Sequence, residues 1–516
     1  MNFLTIGAFV VYLIVMLYIG FYFSNKSSDL SNYYLGGRKM NKWAVALSAQ
    51  ASDMSGWLLM GLPGAVYLNG ISDCWIAVGL ATGTYLNWKI VAKRLRIYSH
   101  ACKDSITIPD FFSNRFRDKS GLMRTVAALI ILLFFLFYTA SGFVACAKLF
   151  SATFGGSYQL SLIIGAVIVV SYTLMGGFMA VCWTDVIQGL LMFLAIVLVP
   201  AIVIATTGGF EGTVNSINAV DPNLLNVFTN VKTGKAISLI GIISSLVWGL
   251  GYFGMPHILV RFMSIKEANE ITESRRIAMS WVAISLGAAV IIGLVGHLFI
   301  NAHGGIANFK DFDAEKIFMY MINGIFTVPI LGDIIIGIMM SAILAAIMST
   351  ADSQLLVSAS AFSNDIYNRL IHKKASNREL LAVSRLTVAA VAIIAILIAM
   401  KPDTDFVKGV MKLVSFAWGG FGAAFGPLIL LSLFWRRTNL YGAAAGMIVG
   451  TATAILWKFL PSAAYLEANP DSIFHLYELA PGFLFSFITI IVVSLLTPPP
   501  SKEITDEYDA VCKMRS

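Results

Sequence analysis

Thirteen apolar stretches run through this chain, each about as long as a helix that crosses a bilayer. Charged residues make up only 12% of the sequence, whereas soluble domains carry about 25%. In hydrocarbon, backbone polar groups must bond within their own segment, so such stretches fold as helices. We therefore predict an all-α polytopic membrane protein with thirteen transmembrane helices. The predicted spans are residues 4–24, 43–68, 71–91, 122–150, 158–178, 181–207, 236–260, 276–300, 330–363, 379–400, 407–434, 440–460 and 480–497.

The distribution of Lys and Arg predicts the orientation of the chain. Most of these residues fall in alternate connections and in the C-terminal tail, which positive-inside topology places in the cytoplasm. The N-terminus is then outside and the C-terminus inside, in the plasma (inner) membrane. This pattern explains the net charge of +8 without a nucleic-acid partner. We infer membrane lipid as a partner of the chain, and we infer no obligate protein partner. Residues 1–497 are predicted to form one transmembrane domain and residues 498–516 a disordered cytoplasmic tail.

Polar residues interrupt the second apolar segment in its middle. The stretch from Ser48 to Gly64 reads SAQASDMSGWLLMGLPG, with Asp53 among several serines and glycines. Non-helical backbone at this depth persists only where it lines a cavity or is buried in protein, and a charge there usually marks an ion or substrate path. We interpret this stretch as a broken helix at a binding site. A helix cap, or pairing of Asp53 with a buried Lys or Arg, is the structural alternative.

The seventh segment carries a second interruption. Three glycines and then Pro256 break the aromatic stretch from Ser244 to Phe262. Broken helices at matching positions of two five-span halves, here residues 43–207 and 236–434, indicate an inverted-repeat transporter. Trp248 and Tyr252, four residues apart, are predicted to share one helix face and to wall a small substrate. Packing in the membrane core is the other explanation of these aromatics.

The ninth segment presents oxygen atoms on one helix face. Ala346, Ser349, Thr350 and Ser353 fall within an arc of about 100°, and a surface of hydroxyl and carbonyl oxygens suits a hard cation such as sodium. Hydroxyls in membrane helices also bond to their own helix, which is the structural alternative. Asp352 and Asp185 are further carboxylates within apolar segments. Either of them binds a cation, caps a helix or meets a loop arginine such as Arg261.

Four stretches resemble the sodium:solute symporter family, and within it the proline-transporting bacterial members. They are ASDMSGWLLMGLPGA from Ala51, GGFMAVCWTDVIQG from Gly176, WGLGYFGMPHILVRFM from Trp248 and ILAAIMSTADSQLLVSAS from Ile343. The resemblance covers nearly the whole chain. It implies a leucine-transporter-like fold of ten core helices in a 5+5 inverted repeat, with one extra N-terminal and two extra C-terminal helices.

The same resemblance implies roles for individual residues. A sodium ion is expected at the carbonyls of Ala51, Met54 and Ala346 with the hydroxyls of Ser349 and Thr350, supported by Asp53. The expected substrate site contains Ser55, with Gly56 beside it, together with Tyr138, Trp248, Tyr252 and Pro256. Some relatives carry a second sodium, held by an acid like Asp185 with side chains at the positions of Ser349, Asp352 and Ser353, whereas others of the proline type lack the acid that matches Asp352.

These expectations lead to a functional hypothesis of sodium-driven uptake of L-proline, with sodium co-transported. The nearest alternative is a sodium symporter of the same fold for another amino acid, a sugar acid or a vitamin. An enzyme is disfavoured, because no HExxH, GxSxG or P-loop motif occurs and the six histidines are scattered. A sensor would need a signalling domain, and a channel would not accumulate solute.

Overall fold

A computed structural model describes residues 3–24, 30–309, 311–401, 404, 406, 407, 409–469 and 472–514. These residues are helical almost throughout, as expected for apolar segments whose backbone groups must bond locally. The helices of the first part of the chain are α1 (Phe3–Ser24), α2 (Leu30–Leu35), α3 (Lys42–Asp53), α4 (Leu62–Asn69), α5 (Cys74–Leu86), α6 (Lys93–Ala101), α7 (Ile108–Arg115), α8 (Leu122–Phe154), α9 (Tyr158–Met175), α10 (Phe178–Thr206) and α11 (Gly209–Val220).

A short hairpin of two antiparallel strands, β1 (Thr229–Asn230) and β2 (Lys235–Ala236), precedes the second part. The helices of that part are α12 (Leu239–Leu246), α13 (Pro256–Ser264), α14 (Ile271–Ala302), α15 (Ile317–Ile325), α16 (Leu331–Ser360), α17 (Asn377–Ala399), α18 (Val410–Phe434), α19 (Leu440–Phe459), α20 (Ala463–Ala468), α21 (Leu479–Leu496) and α22 (Lys502–Lys513). Wider π-helical turns occur at Trp57–Gly61, Asn87–Ala92 and Ala361–Ile371.

Nine helices in the described part of the chain are long and apolar enough to cross a membrane, and α12 with α13 forms a bent tenth. Three predicted spans do not meet that criterion as single helices. The second is interrupted after Asp53, the third changes to a π-helical turn at Asn87, and the fifth contributes an apolar helix of only 17 residues at Tyr158–Leu174. The protein is therefore polytopic and mostly helical.

α16 lies at the centre of the bundle. It packs against α1, α8 and α10, and nearly every residue from Met339 to Leu356 is buried. α3 also packs against α10, α13, α14 and α16. The two helices with the strongest polar signals are thus brought together away from lipid.

The C-terminal tail is not disordered, and that prediction was wrong for the residues described. Residues Lys502–Lys513 form α22, and its apolar side chains Ile504, Tyr508 and Val511 recur at helical spacing and are buried. Composition alone suggested disorder because the stretch is short, charged and preceded by three prolines. The apolar face of α22 is recognisable only once the protein surface that it packs against is known. The last two residues, 515 and 516, lie outside the described part.

Ion pairs hold α22 against the same end of the bundle as α6 and α7. Arg117 pairs with Glu503 at 2.8 Å and with Glu507 at 2.5 Å, and Arg436 pairs with Asp509 at 2.8 Å. Between the turn after α6 and the tail, the Cys102 thiol donates to Glu507 at 2.9 Å. Burial raises the pKa of Cys102, so this thiol stays protonated as the donor.

Candidate functional site

The first interrupted helix lies where the sequence places polar residues in mid-membrane. α3 ends at Asp53, and the chain departs from helical geometry at Met54 (φ −83°, ψ 74°) and Ser55 before it resumes a helical course around Trp57. The Ser55 N–H donates to the Asp53 carbonyl at 3.0 Å, and Trp57 Nε1 donates to the same carbonyl at 2.9 Å. In a continuous helix the Ser55 N–H would bond the Ala51 carbonyl. The break therefore frees the Ala51 carbonyl for another partner.

The second interruption lies in the seventh apolar segment. Residues Val247–Gly254 form a 3₁₀ helix, Met255 is extended (φ −79°, ψ 107°), and α13 begins at Pro256. Proline suits this restart because the first position of a helix needs no backbone N–H donor. The two halves meet at a bend of 47°. Both predicted breaks are confirmed.

Side chains from neighbouring helices bond the carbonyl groups of the 3₁₀ stretch. Trp418 Nε1 of α18 donates to the Trp248 carbonyl at 2.7 Å. The Asn87 amide, in the turn after α5, donates to the Tyr252 carbonyl at 3.0 Å. These bonds offset the cost of leaving the α-helical ladder inside the protein.

The 3₁₀ stretch also packs backbone to backbone against α5, which yields a test by mutation. A Cβ added at Gly83 would overlap the carbonyl of Gly249, and backbone cannot move aside as a flexible side chain can. Gly83→Ala should therefore destabilise the protein by about 1–3 kcal/mol, seen as a lower midpoint of thermal unfolding in detergent. Gly287→Ala in α14 is the matched control, because no atom lies within 4 Å of its added Cβ. Equal effects of the two substitutions would contradict this packing.

Four of the five expected sodium ligands come together where α16 passes the first break. Ser349 Oγ donates to the Ala51 carbonyl at 2.8 Å and lies 3.1 Å from the Ala346 carbonyl. Thr350 Oγ1 lies 3.2 Å from that same Ala346 carbonyl. Bonding to its own helix explains the Thr350 contact, but the Ser349 bond crosses between helices. Met54, the fifth expected ligand, lies within the break itself.

A short hydrogen bond joins the two breaks. The Tyr252 hydroxyl donates to Asp53 Oδ2 at 2.5 Å, and both side chains are buried. The other carboxylate oxygen of Asp53 is buried and makes no hydrogen bond within the described residues. Asp53 thus connects the interrupted helices and still has one oxygen available. Within the described residues, the Asp53 side chain makes no hydrogen bond to Ser349 or Thr350.

The predicted common face of Trp248 and Tyr252 was wrong. The Trp248 ring stacks on Tyr477 (centroids 5.1 Å apart, planes at 23°), whereas the Tyr252 ring meets Trp418 edge-on (4.9 Å, 87°). The prediction assumed α-helical geometry, in which residues four apart lie one above the other. In a 3₁₀ helix, with about three residues per turn, residues four apart point about 120° away from each other.

The remaining expected substrate residues line the same region. Ser55 and Gly56 lie at the first break, and a Cβ at Gly56 would approach Ala145 Cβ of α8 to 2.9 Å. Pro256 begins α13 at the second break. Tyr138 of α8 is buried, and its hydroxyl has no hydrogen-bond partner of normal geometry in the described structure.

His257 is a residue that the sequence reasoning missed. It follows Pro256, is fully buried, and packs edge-on against the rings of Phe135 (5.6 Å) and Tyr138 (6.3 Å). Neither ring nitrogen has a hydrogen-bond partner among the described residues. The histidines were read as scattered, but the position of His257 next to the break was an available signal.

The second group of carboxylates surrounds a buried arginine. Arg261 donates from Nη2 to Asp185 Oδ2 at 2.9 Å and to Ser353 Oγ at 2.6 Å, and from Nε to Ser48 Oγ at 2.8 Å. Ser48 in turn donates to Asp185 at 2.6 Å. Asp352 lies beside this group, with one oxygen 3.3 Å from Ser353 Oγ.

Of the roles left open for Asp185, pairing with Arg261 is the one observed. Arg261 does not lie in a loop, as the sequence reading assumed, because α13 extends to Ser264. Asp352 has no hydrogen bond to its second carboxylate oxygen in the part of the chain described. Two of the residues expected to hold a second sodium, Asp185 and Ser353, are therefore already joined by a fixed cation.

Comparison with known proteins identifies the family. A model of the sodium:solute symporter family matches residues 33–450. The high-affinity proline transporter PutP of Bacillus subtilis is 46% identical over 494 residues, which are 96% of this chain and 98% of that protein. The sodium/proline symporter of Escherichia coli is 45% identical and is covered to 93%, over 96% of this chain.

A solved structure shares the fold. A Na⁺-coupled sialic acid symporter, in a substrate-bound outward-open state, superposes with a TM-score of 0.77 over 97% of this chain and 99% of its own, at 21% identity. The expected leucine-transporter-like architecture is confirmed at the level of the overall fold. With its broken helices, its central polar residues and a family match over most of its length, the chain belongs to the sodium:solute symporter family.

Proposed function

We propose that the protein takes up L-proline across the plasma membrane by sodium-coupled symport with alternating access. The hydrogen bond from Ser349 in α16 to the Ala51 carbonyl at the first break carries this proposal. The chain that contains this hydrogen bond is 43–46% identical to transporters that are named for proline. The relatives named above are transporters, and the chain is not an enzyme.

Sodium binds at the first break in this proposal. The carbonyls of Ala51, Met54 and Ala346 and the hydroxyls of Ser349 and Thr350 are its ligands, a set of neutral oxygens that suits a hard, singly charged ion. Asp53 supports the site electrostatically. Each charge moved inward supplies about 2.3 kcal/mol per 100 mV of membrane potential, to which the sodium gradient adds.

Proline binds between the two breaks. Backbone N–H groups at a half-helix start attract its carboxylate, while freed carbonyls accept from its secondary ammonium group. Asp53 Oδ1 has no hydrogen-bond partner in the described structure and the Tyr138 hydroxyl has none of normal geometry, and such buried polar atoms call for a ligand or water. The residues assigned to this site are Ser55, Gly56, Tyr138, Trp248, Tyr252 and Pro256.

Tyr252→Phe tests the connection between the breaks. Without the hydroxyl, neither oxygen of Asp53 has a hydrogen bond within the described residues, and the two breaks lose the hydrogen bond that joins them. We expect kcat/KM for proline uptake to fall about tenfold, the effect of losing a hydrogen bond to a charged group. Tyr158→Phe, whose hydroxyl bonds the Ala399 carbonyl at the ends of α9 and α17, is the control. Equal kinetics for Tyr252→Phe and wild type would rule out this role.

A second sodium at Asp185, Asp352 and Ser353 belongs to the proposal. Asp185 Oδ1 and Asp352 Oδ2 are buried without partners in the described part, which supports an ion there. Arg261 competes with such an ion for Asp185 and Ser353. The ratio of sodium flux to proline flux into proteoliposomes counts the ions: a ratio near 1 would remove the second one.

The finer topology is also proposed. Thirteen spans in residues 1–497, with repeats at 43–207 and 236–434, put the termini on opposite sides, and the bias of Lys and Arg puts the N-terminus outside and the C-terminus in the cytoplasm. A small cavity of about 10 Å³, lined by Tyr34, Thr107, Arg261 and Ser353 among others, adjoins the second carboxylate group. In this proposal it marks the start of the cytoplasmic exit path.

The test is uptake of labelled proline into proteoliposomes. An inward sodium gradient should drive accumulation above the outside concentration, and accumulation should collapse when sodium is equal on both sides. Competition by a panel of amino acids, sugar acids and vitamins separates proline from another small solute. Equilibration without accumulation would indicate a channel and contradict the proposal.

A further inference from the structure

A basic cavity opens at the end of the bundle that carries α22, away from the transport site. Its volume is about 470 Å³, within the range of ligand sites in proteins. The turn after α6, the connection between α7 and α8, and the end of the helix that follows α16 all contribute to it. Five of its twelve lining residues are basic and one is acidic: Lys103, Lys119, Arg124, Arg369 and Lys373, against Asp118.

Most of this positive charge is uncompensated. Among the described residues, Arg124 alone of the five cations is paired, with Asp110 and Asp365. The side chains of the other four cations make no ion pair or hydrogen bond within the described residues. Asp118, whose oxygens accept from the backbone N–H groups of Ser120, Gly121 and Met123 at 2.9–3.2 Å, offsets one of these four charges and leaves the lining positive. Like charges around one cavity repel each other, and an anion would relieve that repulsion.

Two neutral donors face the same cavity. The Ser113 hydroxyl and the Asn368 amide line it, and neither side chain is hydrogen-bonded among the residues described. The positive-inside rule explains basic loops in general, but it does not require cations from three separate segments to converge with free donors. Cations together with hydroxyl and amide donors form a binding site for a phosphate group.

Exposed apolar side chains beside the cavity favour a lipid over a soluble anion. Leu370 lines the cavity and is 50% exposed. Its chain neighbour Ile371 is 63% exposed, and Leu122, which opens α8 directly after the lining residue Gly121, is 49% exposed. Leu370 lies close to Gly121, 3.9 Å from where a Cβ would be. Such side chains suit contact with acyl chains, with the cations next to them.

We propose that this cavity binds the headgroup of an anionic phospholipid. The phosphate lies among Lys103, Lys119, Arg369 and Lys373, and the acyl chains run along α8 beside Leu122 and Leu370. The lipid thereby links α8 to the π-helical stretch Ala361–Ile371 that follows α16. Basic recesses between helices at the cytoplasmic surface hold anionic lipids by this combination of charge and apolar contact. Lipid binding at this cavity does not depend on which solute the protein carries.

The test uses the purified full chain in detergent, titrated with phosphatidylglycerol or phosphatidylcholine. The double variant R369Q/K373Q removes two exposed cations of the cavity. K266Q/R276Q removes two exposed cations elsewhere on the same surface and is the matched control. Native mass spectrometry counts bound lipid, and the midpoint of thermal unfolding reports the half-saturating lipid concentration.

We expect phosphatidylglycerol, and not phosphatidylcholine, to bind and to stabilise the wild type and the control. The cavity variant should need roughly 20-fold more phosphatidylglycerol, as expected from the loss of two cations near an anionic headgroup, while its unfolding without lipid is unchanged. Equal binding by both variants would overturn the proposal. So would displacement of phosphatidylglycerol by millimolar inorganic phosphate, which would identify a site for a free anion.

Discussion

Ser349→Ala is expected to raise the sodium concentration for half-maximal proline uptake about 30-fold. The hydroxyl donates to the Ala51 carbonyl at 2.8 Å and lies 3.1 Å from the Ala346 carbonyl, so it is at the centre of the proposed sodium ligands. An interaction with a charged group contributes about 1.5–3 kcal/mol, and each 1.4 kcal/mol is a factor of ten in affinity. Initial rates of uptake in proteoliposomes, at increasing sodium and fixed proline, measure the change.

Ser341→Ala is the matched control. Ser341 is also buried in α16, but its hydroxyl bonds only the Gly337 carbonyl of its own helix. That substitution should leave the sodium dependence unchanged. Asp53→Asn should raise the sodium requirement as well, because it removes the charge beside the site. If Ser349→Ala and Asp53→Asn both show wild-type sodium dependence while inserting normally, the sodium site is assigned to the wrong residues.

Arg261→Gln is expected to have the largest effect on stability, about 3–5 kcal/mol. The substitution removes the guanidinium that bonds Asp185, Ser353 and Ser48, and leaves Asp185 buried without its cation. Breaking a buried ion pair by removing one partner costs this much because the remaining charge stays unsolvated. Thermal unfolding in detergent and the yield of folded protein in membranes measure the loss.

A second substitution separates this ion pair from a general packing effect. Arg261→Gln combined with Asp185→Asn removes both charges and should recover much of the lost stability, which a double-mutant cycle quantifies. Arg436→Gln is a control, because its pair with Asp509 is exposed and solvent screens such pairs strongly. A single Arg261→Gln variant as stable as the wild type would exclude a stabilising role for the ion pair.

Local chemistry made some features predictable. The polar run ending at Ser55 and Gly56, and the glycines before Pro256, disfavour a continuous helix, because glycine and proline change the conformational preference of the backbone at their own positions. The lengths of the apolar segments located the helices, because hydropathy is likewise a property of each segment itself. The interruption of α3 and the bend before α13 were therefore predicted and are confirmed.

Other features depended on conformations that the sequence reading did not anticipate. Trp248 and Tyr252 were assigned to one face because an α-helical period was assumed, and the 3₁₀ geometry turns them apart. The tail was read as disordered because the surface that binds α22 is built from loops distant in sequence. His257 is not part of any hydrophobic periodicity in the sequence, so its position next to the break at Pro256 was its available signal.

The sequence by itself determined that this chain crosses the membrane many times and breaks two of its helices, since hydropathy and backbone chemistry act within a few residues. The tertiary structure alone decided which groups meet at those breaks. The Tyr252 hydroxyl reaches Asp53 from 199 positions away, and the Ser349 hydroxyl reaches the Ala51 carbonyl from 298. Such contacts depend on how whole helices pack, and packing is a property of the entire bundle and not of any one segment.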